Sequence, residues 1–95
     1  MSARDAYVEK LKAQFDQWND QIDDLETRLR KASTEARSQI ESQMAILRAR
    51  RDETRARLEE LRRASEDAWG DLRAGLEKAR DDLAEALRTA ASRLR

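Results

Sequence analysis

The residues best placed for chemistry are acidic. Asp20, Asp23 and Asp24 fall within one helical turn, as do Asp81, Asp82 and Glu85, and carboxylates so spaced could hold a hard cation. A carboxylate di-metal site in a helical bundle needs inward-facing acids and usually a Glu-x-x-His element, and this sequence has no histidine. A solvated acidic face is therefore the preferred reading, and no metal site is expected. The complementary cluster is basic: Arg48, Arg50, Arg51, Arg55, Arg57, Arg62 and Arg63 could track a phosphate backbone. Acids at Asp52, Glu53, Glu59 and Glu60 interleave with them, and over the whole chain 20 basic and 20 acidic side chains cancel. With no global field to attract a polyanion, pairing within the protein is preferred and no nucleic-acid partner is expected.

Catalysis finds no foothold in these residues. Histidine and cysteine are both absent, which removes the commonest base and thiolate nucleophile together with disulfides and Cys-based metal sites. There is no Gly-rich phosphate loop, and a slender helical protein offers no deep pocket. The reading is that the chain is not an enzyme and takes no cofactor. The aromatic side chains Tyr7, Phe15, Trp18 and Trp69 could instead mark a docking patch, because Trp and Tyr are enriched at interaction hot spots. Phe15 and Trp18 fall on a helical apolar seam and Tyr7 stands four residues before Leu11, so core packing is the better reading for these three. Trp69 is the candidate for partner contact, since it could cover the end of a bundle or protrude from it.

The elements that must position these residues are helices. Charged residues make up 42% of the chain, there is no proline, and Gly70 and Gly75 are its two glycines, a composition suited to long helices and poor for strands. Apolar or small residues recur at alternating steps of four and three through Leu11, Phe15, Trp18, Ile22, Leu25, Leu29, Ala32 and Ala36. The seam passes a stutter at Ile40, Met44 and Leu47, then resumes through Arg51, Thr54, Leu58, Leu61, Ser65, Ala68 and Leu72. In the last third, a leucine row (Leu72, Leu76, Leu83, Leu87, Leu94) runs beside a small-residue row (Ala68, Gly75, Ala79, Ala86, Ala90). The expected packing core is Leu11, Phe15, Trp18, Ile22, Leu25, Leu29, Ile40, Leu47, Leu58, Leu61, Leu72, Leu76, Leu83 and Leu87.

Ser65 can cap a new helix, with Glu66 and Asp67 in its first turn and Arg62 and Arg63 closing the preceding one. Ser33 and Thr34 have cap-capable hydroxyls too, but neither glycine nor proline accompanies them and the heptad continues across. The sequence thus predicts an all-α, single-domain chain (1–95): a long helix over about 3–64, with a hinge or turn near 32–36 as the alternative, and a second helix over about 66–93. A helix of that first length is roughly 90 Å long, and the C-terminal helix can cover only about half of it.

Two arrangements bury this seam. A turn at Ser33 and Thr34 gives an up-down-up three-helix bundle within one chain; without it, two long helices run antiparallel and exchange their N-terminal segments in a swapped dimer. In either, residues of the first and middle thirds face each other when their numbers sum to about 67, which sets Asp16, Asp20, Asp23 and Asp24 alongside Arg48, Arg50 and Arg51. Trp69 should then approach Tyr7, and Leu76 and Leu83 should approach Phe15 and Ile22. A helical reversal without glycine is the less natural solution, so the dimer is the expected form. The amphipathic C-terminal helix could alternatively lie on a lipid surface; its polar face mixes both charge signs and is not lysine-rich, which favours packing against helices.

The run from Tyr7 to Leu25 with its Trp18-Asn-Asp-Gln-Ile22-Asp core, the middle Leu47-Arg-Ala-Arg-Arg-Asp52 with Leu58-Glu-Glu-Leu61, and Ala68-Trp-Gly-Asp-Leu-Arg-Ala-Gly75 resemble a family of small bacterial coiled-coil proteins associated with stress response, of cyanobacterial and proteobacterial type. The likeness spans most of the chain in order. It departs at Gly70, where an acidic residue would be usual, and at Glu66, where glycine would often mark the break. The resemblance implies a soluble bacterial cytoplasmic protein made under osmotic, oxidative or similar stress, and it carries no functional residues across. The N-terminal run, charged at Arg4, Asp5, Glu9, Lys10 and Lys12, holds no apolar stretch of signal-peptide or membrane-span length, which agrees with a cytoplasmic location. The functional expectation is a non-catalytic interaction or scaffold protein, a homodimer with a protein partner that the sequence does not name.

Overall fold

Three serines start three helices. In the computed structural model, which describes residues 2–94, the side chains of Ser2, Ser33 and Ser65 accept hydrogen bonds from the backbone N–H of Asp5 (3.1 Å), Ala36 (3.2 Å) and Ala68 (3.4 Å). Each satisfies a donor that a helix start leaves open. The helices are α1 (Ala3–Lys31), α2 (Thr34–Arg62) and α3 (Glu66–Arg93). Each has acid in its first turn and base in its last, including Asp5 and Lys31 in α1, Glu35 and Arg62 in α2, and Glu66 and Arg93 in α3, matching the helix dipole at both ends. The described residues are all-α, an up-down-up bundle of 50 × 21 × 17 Å, about one 29-residue helix long.

The break at Ser65 falls where the sequence places it. At Ala32 and Ser33 the chain turns, where the sequence predicts uninterrupted helix over about 3–64 with a turn near 32–36 as the alternative. The physical reason is that this reversal needs no left-handed residue. Ala32 (φ −75°, ψ 159°) and Ser33 (φ −63°, ψ 158°) are both extended, and no described residue has positive φ. The lack of glycine weighed against a turn only for reversals that pass through the left-handed region.

The seam faces inward. One cluster holds Phe15, Ile22, Leu25 and Leu29 of α1, Ile40, Met44 and Leu47 of α2, and Leu83, Leu87 and Ala90 of α3. A second, towards the chain's N-terminus, holds Val8, Leu11, Leu58, Leu61 and Leu76. Each large apolar side chain fully buried here contributes about 1.5–3 kcal/mol, against about 0.2–0.5 kcal/mol for a surface ion pair, so burial dominates. Twelve of the fourteen expected core residues are buried; Trp18 and Leu72 lie half-buried at the cluster edges. Val8, Met44, Ala79 and Ala90 complete the core. Val8 carried a usable signal, standing three residues before Leu11 on the same helical face.

Thr54 occupies a seam position between the clusters and is only 4% exposed. Its hydroxyl lies 2.8 Å from the Arg50 carbonyl, one turn back, and 3.3 Å from the Ala79 carbonyl on α3, so a buried polar atom finds partners and α2 and α3 are drawn close. At Gly75 a Cβ would stand 2.9 Å from Nη1 of Arg57, the far end of a flexible side chain that can move aside. At Gly70 a Cβ would meet nothing within 4 Å. The α2–α3 pair is the most extensive in the bundle, and α1 leans on α2 more than on α3.

Because Gly70 sits in open space inside a helix, Gly70→Ala should stabilise the fold by about 1 kcal/mol, raising Tm by roughly 4–8 °C. Gly75→Ala must push the Arg57 side chain aside and should stabilise less. Thermal unfolding by circular dichroism checks the order, and a larger gain at Gly75 would contradict this account of the α2–α3 contact.

Candidate functional site

The antiparallel order of the helices brings the start of α1, the end of α2 and the start of α3 to one end of the bundle. There the Tyr7 and Trp69 rings meet edge to face, with centroids 5.5 Å apart and planes at 67°, as the sequence predicts. Arginines cover the pair. Arg73 lies 4.4 Å over Tyr7 and 5.5 Å from the Trp69 ring, and Arg4 lies 5.2 Å over Trp69, each cation attracted by the negative face of a ring. Arg4 also donates from Nη2 to the Ala64 carbonyl at 2.7 Å, tying α1 to the α2–α3 turn.

One carboxylate oxygen gathers the remaining bonds. The Tyr7 hydroxyl donates to Glu77 Oε1 (2.7 Å) and Arg73 Nε donates to the same atom (2.8 Å). Desolvation first, and then the hydrogen bond to the Glu77 carboxylate, hold the Tyr7 hydroxyl above its ordinary value of 10.0. The bonds from Tyr7 and then Arg73 hold Glu77 below its ordinary 4.5. Trp69 thus covers the bundle end, half-buried beneath two arginines, though it remains the candidate for partner contact on chemical grounds. Its Nε1 is buried with no hydrogen-bond partner among the described residues, a defect that costs about 1–3 kcal/mol. Beside it an open cleft of about 500 Å³ runs between Ser2, Asp5, Val8, Leu61 and Arg62.

Further along, the α1–α2 seam carries two cross-helix polar contacts. Glu26 and Arg48 pair bidentately, at 2.6 Å (Oε1–Nε) and 3.0 Å (Oε2–Nη2). The Arg48 hydrogen bond pulls the Glu26 carboxyl below 4.5 against the opposing effect of burial. Arg55 lies 5.5 Å from the Phe15 ring centroid. The aspartates expected opposite the arginines behave otherwise. Asp24 bridges Arg28 on its own helix (3.1 Å), while Arg50 approaches Glu53 and Arg51 binds Asp52; the acid that crosses the seam is Glu26. Two i, i+4 pairs form on α2, Glu53 with Arg57 and Glu59 with Arg63, whereas Glu26 reaches across to Arg48 and not to Arg30, four residues on. All seven arginines from Arg48 to Arg63 touch an acid or an aromatic ring of the same chain.

Among the described residues no three acidic side chains gather as ligands for a cation; Asp20, Asp23, Asp24 and Asp81 are exposed, and Asp82 is held below its ordinary value chiefly by Lys78. Leu83 joins Phe15 and Ile22 in the larger cluster, as expected. Leu76 belongs to the neighbouring one with Leu11 and Leu58, though it lines a small void with Phe15. That void, about 10 Å³ among Leu11, Trp18, Thr54 and Leu58, is water-sized at most and holds no substrate. The α3 leucines Leu76, Leu83 and Leu87 face the core, and no described helix is long and apolar enough to cross a membrane. Compared with protein-family models, with curated proteins and with solved structures, the chain gives no match.

Two outcomes follow for this site. Trp69→Phe keeps a smaller aromatic ring and removes the unpaired N–H, so in urea unfolding it should be close to neutral, while Trp69→Ala should cost up to about 3 kcal/mol at this half-buried position; equal losses would show that the indole N–H has a partner. Glu26 and Glu77 are both more acidic in the fold, so their contribution to stability is present above 4.5 and lost as pH falls through their lowered folded values. Tm should therefore drop on acidification below about 4.5, and Glu26→Gln should flatten part of that drop at the expense of stability at neutral pH. An unchanged profile in the variant would remove Glu26 as a source.

Proposed function

We propose that this chain is a non-catalytic protein that works by helix-to-helix association, with α1 as the helix that yields its place and the apolar face of the α2–α3 pair as the surface that receives a partner helix. The observation that carries this reading is the uneven attachment of α1. It meets α3 chiefly through the Tyr7–Trp69 end and a few core side chains, while the α2–α3 contact is the most extensive in the bundle and includes the Thr54 bond to the Ala79 carbonyl and the buried small residues Ala79 and Ala90. Helices that open are drawn from the least-attached elements of a fold. Once α1 leaves, Ile40, Met44, Leu47, Leu58, Leu61, Leu76, Leu83 and Leu87 form an apolar groove of the width that an amphipathic helix fills.

The self-contained pairing of the arginines supports a protein partner over a polyanion. The family resemblance supports a bacterial cytoplasmic setting in which the protein protects or scaffolds another component under stress. A lipid surface, the other reading of the amphipathic α3, would have to take its leucines from the same groove.

Native-state hydrogen exchange tests the central claim: amides of α1 should open together at a lower free energy than those of α2 and α3. Uniform protection across all three helices would remove α1 as a displaceable element. Flotation with anionic vesicles separates the lipid alternative, since co-floating protein would place the groove at a membrane and not at another helix.

A further inference from the structure

We infer that the helix this groove receives is α1 of a second copy of the chain, exchanged by straightening the Ala32–Ser33 link into continuous helix. The inference rests on the proposed function and names its partner. Three features of the fold lead to it.

First, the link is short and nearly helical already. The φ values of Ala32 and Ser33, −75° and −63°, are those of an α-helix, and ψ alone, 159° and 158°, is extended. Rotation of two ψ angles therefore joins α1 to α2 without taking any residue to positive φ. It lets the N–H groups at the start of α2, now served only by the Ser33 cap, reach carbonyls at the end of α1.

Second, the seam is in phase across the link. Leu29, Ala32, Ala36 and Ile40 follow at steps of three, four and four, so in a continuous helix the buried faces of α1 and α2 form one stripe. A turn that broke the phase would leave the straightened helix with two stripes facing apart.

Third, the contacts that hold α1 survive exchange, and the residues at the new centre suit it. Arg4 with Ala64, Phe15 with Arg55 and Glu26 with Arg48 are antiparallel pairs, and each is recreated when the two partners come from different chains. Residues 34, 35 and 37 lie midway within these pairs, so a two-fold axis between two straightened helices passes beside Ala32 and Ala36. Both are half-buried in the present turn, and their small side chains let two helices meet closely there. The bundle then repeats at each end, α2 and α3 of one chain with α1 of the other, and the particle lengthens from 50 Å to about 90 Å.

Two variants push the equilibrium in opposite directions. Thr34 is the first residue of α2, follows an extended Ser33 and is exposed, so Thr34→Pro fits the turn and leaves the Ser33 cap intact. Inside a continuous helix the same proline clashes and lacks its donor, so dimerisation should weaken by about a hundredfold or more. Ser33→Ala removes the cap that only the turned form uses and is a better residue within a helix, so dimerisation should strengthen by about tenfold. Sedimentation equilibrium on the full chain, refolded from denaturant across the micromolar to millimolar range, measures both, with circular dichroism confirming helicity.

The absence of native cysteine allows a geometric check. Spin labels at cysteines replacing the exposed Asp5 and Arg62, which line one cleft in the turned form, should lie about 85 Å apart along a straightened helix. The doubly labelled chain, diluted into an excess of unlabelled chain, should lose its short distance in the dimer fraction. A dimer that keeps the short distance, a Thr34→Pro variant that dimerises as well as the parent, or a parent and Ser33→Ala variant that stay monomeric throughout would each overturn the exchange. If α1 still opens in hydrogen exchange in that last case, the displaceable-helix reading stands and its partner is another protein.

Discussion

Each helix of this protein has one apolar stripe and nothing else to bury. That single constraint governs the rest of the structure. With 42% of residues charged, no helix can supply more than a narrow band of Leu, Ile, Met, Phe or Val, and a 29-residue helix alone would leave that band in water. Three stripes turned towards one axis are the smallest set that hides them all, which is why the largest fully buried side chains, Ile22, Met44, Leu47, Leu61, Leu76 and Leu83, come from all three helices. Capping and dipole matching choose where the helices start and stop, at about 1 kcal/mol per cap, but mutual burial makes them persist.

Charge on this scaffold arranges itself around the burial and does not direct it. Most ion pairs are between neighbours on one helix and exposed to water, where such pairs are worth little. The exceptions lie where two helices meet and a long side chain can reach across. Glu26 crosses to Arg48 because both stand at the rim of the seam, half-shielded, where a bidentate pair gains more than an i, i+4 contact with Arg30 would. Glu77 accepts from Tyr7 and Arg73 together for the same reason. Both join α1 to its neighbours, so the least-attached helix is held at its edges by polar contacts as well as by its stripe. Contacts of this kind are indifferent to which copy of the chain provides the partner, as is the stripe itself.

The end cluster shows what packing in a thin bundle leaves incomplete. Trp69 closes the end of the core with the help of Tyr7, but its Nε1 is buried and finds no hydrogen-bond partner among the described residues. Arg4 and Arg73 offset this through the faces of the rings. The result is a well-covered end whose polar atoms are not all satisfied, beside an open cleft.

The sequence by itself determined the helical class, the inward stripe and the break at Ser65, because all three follow from local residue types: a 3.5-residue apolar period, a hydroxyl cap with acids behind it, and no strand formers in a pattern of two. It also determined the approach of Trp69 to Tyr7, since any antiparallel arrangement of three helices of these lengths brings those ends together. What only the tertiary structure decided were the matters that depend on which side chain reaches across a gap. The selection of Glu26 over the aspartates as partner of Arg48 and the half-burial of Trp18 and Leu72 turn on fractions of a helical turn that an apolar period does not resolve. The turn at Ala32 and Ser33 belongs with these. Its extended backbone and the straight alternative bury the same stripe against the same neighbours, so local sequence is nearly indifferent between them, and the outcome rests on where the first helix finds its groove.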